Sequence, residues 1–210
     1  MHSGSADSAG AEEILLAAKD LFAERGFEAV SISAIAERAG SSKANIFHHY
    51  GNKQGLYFAV MRAATERLTD EFSRLLDSDD DPSEKIEQAV RASLSLLFED
   101  ECRSRLIFRE VLESGPGRSE ALAEDVFSNE FATLTALFSD IQHDTAGAPR
   151  LDASFLAYLL LSANVMLLHC RQVIRHLPGV DFVDERERYV TMLRDLLLRG
   201  VGDSAGGDDE

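Results

Sequence analysis

The side chains best suited to chemistry crowd between residues 42 and 53. Ser42, Lys43, Asn45, His48, His49, Tyr50 and Lys53 put hydroxyl, ammonium, amide and imidazole donors into one short stretch. Such donors meet phosphate oxygens or base edges, and Ala44 among them is small enough to lie against a thymine methyl. Asn45 has the amide that pairs bidentately with adenine. Neighbours on a helix diverge by about 100°, so His48 and His49 cannot both face outward; His48 is expected to face a groove and His49 to pack inward. Lys43 and Lys53 suit phosphate. The chemistry is recognition, not bond-making.

Bond-making chemistry finds no comparable set. Carboxylate metalloenzymes built on helices need paired Glu-x-x-His motifs, and no glutamate stands three before any histidine; only Asp140 precedes His143 in that way. There is no His-Glu-x-x-His, no Walker loop and no dinucleotide fingerprint. His169 and His176 share a helix face but lie two turns apart, too far for one ion without further ligands. Cys102 and Cys170 sit in apolar segments that keep a thiol unreactive. No enzyme, metal or cofactor is expected.

The donor row needs a support, and the sequence supplies one. Residues 31–50 read as a short helix, a tight turn at Ala39-Gly40-Ser41 and a second short helix, with Ile32, Ile35, Ala36, Ala39 and Ile46 as the buried seam. Ser31 suits an N-cap, Ser33 either a cap or a DNA contact, and Gly40 the positive backbone angle of the turn. This is a helix-turn-helix, whose second helix can enter a major groove. Before it, Ile14, Leu15, Ala18, Leu21 and Phe22 form one helical stripe that stops at Gly26. After it, Asn52 can cap a long helix carrying Leu56, Tyr57, Val60, Ala64, Leu68 and Phe72. Asp81-Pro82-Ser83-Glu84 is a strong helix start. Further helices are expected over 102–113, 119–142, 152–176 and, capped by Asp181, 181–199. No useful β alternation or repeat appears. The class is all-α, about nine helices: an N-terminal helix-turn-helix domain and a C-terminal helical regulatory and dimerisation domain.

In this respect the sequence resembles the TetR family of bacterial transcriptional regulators. The matching text is Ala18, Leu21-Phe22 and Gly26-Phe27, the run from Val30 to Lys43, then Ile46-Phe47-His48-His49-Tyr50, Asn52-Lys53, Leu56 and Ala59-Val60. The resemblance implies a homodimer on a palindromic operator, usually a repressor, released when a small molecule occupies the C-terminal half. Carried over by position, Ser42, Lys43, Ala44, Asn45, Phe47, His48, His49 and Lys53 fall where the family touches DNA. Position 47 is Phe where the family usually has Tyr, position 44 is Ala instead of Gly, and Gly55 replaces a helix-favouring residue at a cost of about 1 kcal/mol.

Charge and length bound the rest. The 210 residues carry 37 acids against 21 bases, a net −16, and residues 11–58 hold only −1 of it. Over 31–53, Arg38, Lys43 and Lys53 outweigh Glu37. The longest apolar run, over 155–163, is too short to span a membrane, no signal peptide is read, and a reducing cytoplasm is the expectation. The expected organisation is a flexible 1–10, a DNA-binding domain over 11–58, a ligand-binding and dimerisation domain over 59–200 and a disordered acidic tail over 201–210. Phe98, Phe108, Arg109, Phe127, Phe131, Tyr158 and Asn164 are the candidates for a pocket taking an apolar or aromatic effector. Phe155, Leu156, Leu159, Leu160, Ala163 and Leu167 on one late helix, and Tyr189, Met192, Leu193, Leu196 and Leu197 on the other, suit a four-helix bundle between two subunits. The partners expected are therefore double-stranded operator DNA, a small-molecule effector and a second copy, with no membrane. Two rival readings are a DNA-binding regulator without an effector and an acidic helical module for a basic partner.

Overall fold

The computed structural model of the chain describes residues 3–144 and 151–201, and among them every regular element is helical. The order is α1 (Ser3–Ala29), α2 (Ile32–Arg38), α3 (Lys43–Tyr50), α4 (Lys53–Leu76), α5 (Pro82–Glu99), α6 (Glu101–Glu113), α7 (Pro116–Leu122), α8 (Ser128–Asp144), α9 (Ala153–Ile174) and α10 (Arg186–Val201). A π-helical stretch, Ala123–Phe127, joins α7 to α8 without a break, so the ten segments make nine continuous rods.

The starts follow from capping chemistry. The Asp81 carboxylate accepts from the amides of Ser83 (2.8 Å) and Glu84 (3.2 Å) ahead of α5, and Asp152 accepts from Phe155 (3.1 Å) ahead of α9. Both satisfy donors that a helix start leaves without partners.

The described residues divide into two units. Those of the first lie within 3–66 and 100–127, those of the second within 67–99, 128–144 and 151–201. Each has its own apolar core. In the first, Ile14, Phe22, Ile35, Ile46, Leu56 and Met61 bury with Leu106, Leu122 and Val126. In the second, Phe72, Ile86, Leu94, Phe138, Leu160 and Leu197 form the centre. Helix α4 contributes Leu56, Tyr57, Phe58, Val60 and Met61 to one core and Phe72 and Leu75 to the other.

Several expectations meet a different structure. Helices α6 and α7 and the π-helical stretch after them, read as part of a domain over 59–200, share the core of the N-terminal helices instead, because Leu106, Leu122 and Val126 bury there. Helix α1 already begins at Ser3, inside the stretch read as flexible, and the chain kinks at Gly26. The gap left between the helices expected over 102–113 and 119–142 shrinks: Pro116 takes the first helical position after Gly115, where its missing N–H is harmless. Asp181 does not cap the last helix. Its carboxylate pairs with Arg188 at 2.6 Å, Gly179 turns the chain at positive φ, and α10 starts only at Arg186. Helix α9 is, among the described residues, long and apolar enough to cross a membrane by composition. Tyr158 and Ser162 interrupt the apolar run without making the helix polar, but Leu156, Leu160, Asn164 and Leu167 bury within the second unit's core. Of the expected acidic tail, all but its first residue lies outside the described residues.

Candidate nucleic-acid interface

The α2–α3 pair is built from local bonds. Ser31 Oγ accepts from the Ala34 amide and Ser42 Oγ from the Asn45 amide, each at 3.1 Å, so both helices carry a side-chain N-cap. Between them Gly40 sits at φ 58°. Its amide donates to the Glu37 carbonyl (3.3 Å), and that of Ser41 to the Ala36 carbonyl (2.9 Å). Those two bonds are the Schellman pattern, which ends a helix sharply. Ile35, Ala36 and Ile46 are buried, with Ile32 and Ala39 packed against them.

Burying Ile46 sorts the other α3 side chains. Lys43, Ala44, Phe47 and His48 are exposed, one stripe at helical spacing, whereas Asn45, His49 and Tyr50 are half-buried on the opposite flank. Asn45 Nδ2 donates to Ser41 Oγ at 3.1 Å, and Tyr50 Oη donates to the Ala11 carbonyl of α1 at 2.8 Å. Burial pushes the Tyr50 phenol above its ordinary pKa, which keeps it a donor. His48 thus faces outward and His49 inward, as the 100° divergence requires. Phe47 is 46% exposed on the outward stripe. Ser33 is exposed on α2.

Of the four lysines, Lys19 and Lys85 pair with Asp100 and Asp140. Lys53 donates to the Glu28 carbonyl (3.3 Å) and lies over the Phe27 ring, 4.4 Å from its centroid. Lys43 has no ion pair among the described residues and stands in water.

The exit from α3 is tightly made. Gly51 turns the chain at φ 74°, ψ −55°, and the Asn52 amide reaches back to the Tyr50 carbonyl at 2.8 Å, a γ-turn. Asn52 Oδ1 then caps α4 through the Gly55 amide (2.8 Å). A Cβ at position 55 would lie 2.2 Å from the Tyr50 carbonyl oxygen. Gly55, read from sequence as a mere loss of helix propensity, is what lets α4 pass the end of α3.

Sequence reasoning missed a buried polar clasp in the same unit. Glu110 on α6 is 2% exposed and accepts from Tyr57 Oη on α4 and from Arg118 Nε (2.8 Å) on α7. Arg118 also pairs with Glu28 (3.1 Å) and lies over Phe27, 4.9 Å from its centroid, the ring that carries Lys53. Burial, then the bond to Glu110, push the Tyr57 phenol far above its ordinary value. The available signal was a charge, Glu110, inside the apolar stripe of α6: a buried charge needs partners.

The seven pocket candidates are not gathered into one cavity. Phe108, Arg109 and Phe127 belong to the first unit, the other four to the second. Arg109 reaches Glu113 (3.4 Å) and Phe127 packs on the first core. Phe131 packs on the second core and Tyr158 is 60% exposed. Asn164 is fully buried, with Nδ2 donating to Ser93 Oγ and the Val90 carbonyl and Oδ1 accepting from Tyr189 (2.8 Å). Its hydrogen bonds are spent within the core. Phe98 alone of the seven lines the cleft of about 280 Å³ that opens between α5, α9 and the start of α10.

Residues 14–60 match the family model described as bacterial regulatory proteins, tetR family. Over those residues the chain carries the N-terminal domain of the TetR family. It is 29% identical to the HTH-type transcriptional activator FasR of Mycolicibacterium smegmatis over 133 residues, 63% of this chain and 59% of that protein. To the HTH-type transcriptional repressor AcnR of Corynebacterium glutamicum it is 37% identical over 59 residues, 28% of this chain and 31% of the relative. The chain therefore spans from about a third to three-fifths of the length of these curated relatives. Among solved structures, FadR of Bacillus subtilis in complex with stearoyl-CoA superposes with a TM-score of 0.72 at 16% identity, covering 90% of this chain and 98% of that one. That likeness is one of fold, and it runs over nine-tenths of the chain, well beyond the matched N-terminal residues.

Proposed function

We propose that this chain is a sequence-specific DNA-binding transcriptional regulator that acts as a homodimeric repressor on a palindromic operator and leaves it when a small molecule binds. The observation that carries the reading is the outward stripe of α3: Lys43, Ala44, Phe47 and His48 exposed side by side on a helix capped at its start and pinned by Ile46. In that reading Lys43 and the Ser42 hydroxyl meet phosphate, and Ala44, Phe47 and His48 face base edges and thymine methyls. Asn45 and His49, on the inner flank, position the helix. Lys53 and Ser33 reach backbone at the edge of the site.

The dimer is supported by apolar side chains that the chain's own core leaves uncovered. Leu156, Leu160 and Leu167, and Tyr189, Leu193 and Leu197, are buried within the second unit, but Phe155, Tyr158 and Met166 of α9 and Met192 and Leu196 of α10 are exposed. A second copy covering them would complete a four-helix bundle. One short helix reads few bases; two copies one helical turn apart double the site. Repression is the outcome when the dimer covers a promoter, and the relatives include an activator as well as a repressor.

Selection of bound duplexes from a random library tests the reading. The expected result is a palindrome whose half-sites lie one turn apart. Lys43→Ala is then expected to weaken binding to all sequences alike and to reduce the salt slope by about one, and His48→Ala to relax preference at one position of each half-site. Asn45→Ala is expected to leave preference unchanged. Failure of the folded, dimeric protein to enrich any palindrome overturns the reading in favour of an acidic interaction module.

A further inference from the structure

Outside the DNA-facing unit, the cleft between α5, α9 and α10 has a composition that the rest of the molecule does not predict. In a chain of net charge −16, three arginines line it together with a single carboxylate, that of Asp184. Arg175 takes that carboxylate at 3.0 Å. The other two converge on one ring: the guanidinium carbons of Arg171 and Arg186 lie 5.1 and 4.6 Å from the Phe98 centroid. Their origins differ. Arg171 stands in the last turn of α9, where a cation answers the helix C-terminus. Arg186 opens α10, where the dipole favours an anion and disfavours a cation, so helix ends do not explain its presence.

Three guanidiniums around one small cleft repel one another, and Asp184 is the one carboxylate among the residues that line it. Stacking on Phe98 takes the face of a guanidinium and not its N–H edge, the part that forks to a carboxylate or a phosphate. Beneath them the lining is apolar, from Phe98, Leu94 and Leu167. A cleft of about 280 Å³ with an apolar floor and a cationic rim suits a small molecule with one anionic end.

We propose that this cleft binds a small organic anion, its carboxylate or phosphate held by Arg171, Arg175 and Arg186 and its apolar body lying on Phe98, Leu94 and Leu167. Its role as the releasing effector rests on the regulator reading given above; its existence as a binding site does not. The proposal moves the ligand class from apolar or aromatic to amphipathic anion and its place from the seven scattered candidates to the cleft that Phe98 lines.

Titration calorimetry on the full chain with octanoate, octyl phosphate and octanol tests it, since the three share an apolar body and differ in the head. One molecule of an anionic probe is expected per chain, with octanol about tenfold weaker or worse and with affinity falling as salt rises. The tighter of the two anions names the head group. Arg171→Ala/Arg186→Ala is expected to weaken the anions about tenfold while leaving octanol unchanged. Arg171→Lys/Arg186→Lys, which keeps the charges and removes the forks, is expected to fall between, and decides the matter should the alanine pair not fold. Octanol binding as well as the anions, no binding of either anion, or substitutions without effect would each overturn the site. Anisotropy of a selected duplex is read separately. Anion bound in the cleft without release of DNA leaves the site standing and removes its effector role, and absence of DNA binding defeats the regulator reading while calorimetry still decides the cleft.

Discussion

Gly55 shows at the scale of one residue how context reverses a propensity. Helix statistics favour alanine there by about 1 kcal/mol. The structure opposes it, because the added Cβ would meet a backbone oxygen at 2.2 Å and backbone cannot swing aside like a side chain. Gly55→Ala is therefore expected to destabilise the chain by about 1–3 kcal/mol, read as a lower urea midpoint at unchanged slope, and to weaken operator binding; a stabilised variant would show that α4 yields. Asn45 teaches the same lesson about function. Its amide suits adenine by type, but side-chain type does not reveal that Ser41 holds it on the inner flank.

Elements were more legible than sites. The α2–turn–α3 unit could be read because each of its devices is local: Ser31 and Ser42 as caps, Gly40 at the turn, apolar residues at helical spacing. The affiliation of α6 and α7 could not, since an amphipathic stripe states that a helix buries a face and not against which core. The Tyr57–Glu110–Arg118 clasp joins residues 61 positions apart from first to last and leaves no periodic trace. The late arginines 171, 175 and 186 were visible, but only the fold brings 171 and 186 to one ring. The caps make a graded prediction. Ser31→Ala and Ser42→Ala are each expected to lower stability by about 1 kcal/mol in denaturant titrations. Only Ser42→Ala is expected also to weaken DNA binding when compared at a temperature where both variants are folded, because its hydroxyl stands at the entrance to the outward stripe.

At the scale of the whole molecule, two buried tyrosines, one in each of the separate cores, have strongly shifted ionisations. Burial, reinforced for Tyr57 by Glu110, raises both Tyr57 and Tyr189 above the ordinary value near 10. The native state thus keeps phenol protons that the unfolded chain releases. Nothing is lost below pH 10; above it, stability is expected to fall by about 1.4 kcal/mol per pH unit for each such tyrosine. Urea unfolding between pH 9 and 11 checks this, and Tyr189→Phe should remove the share of the second unit alone. A flat profile would mean that these phenols reach water. The turn leaving α3 has a practical corollary for anyone re-engineering operator choice. A recognition segment transplanted from a relative ends where Gly51 reverses the chain and Gly55 gives it clearance, so a graft that stops at Tyr50 inherits the host's exit angle. One that carries its own residues at 51 and 55 resets that angle, and a chimera will read its new half-site only when the joint travels with the helix or matches it.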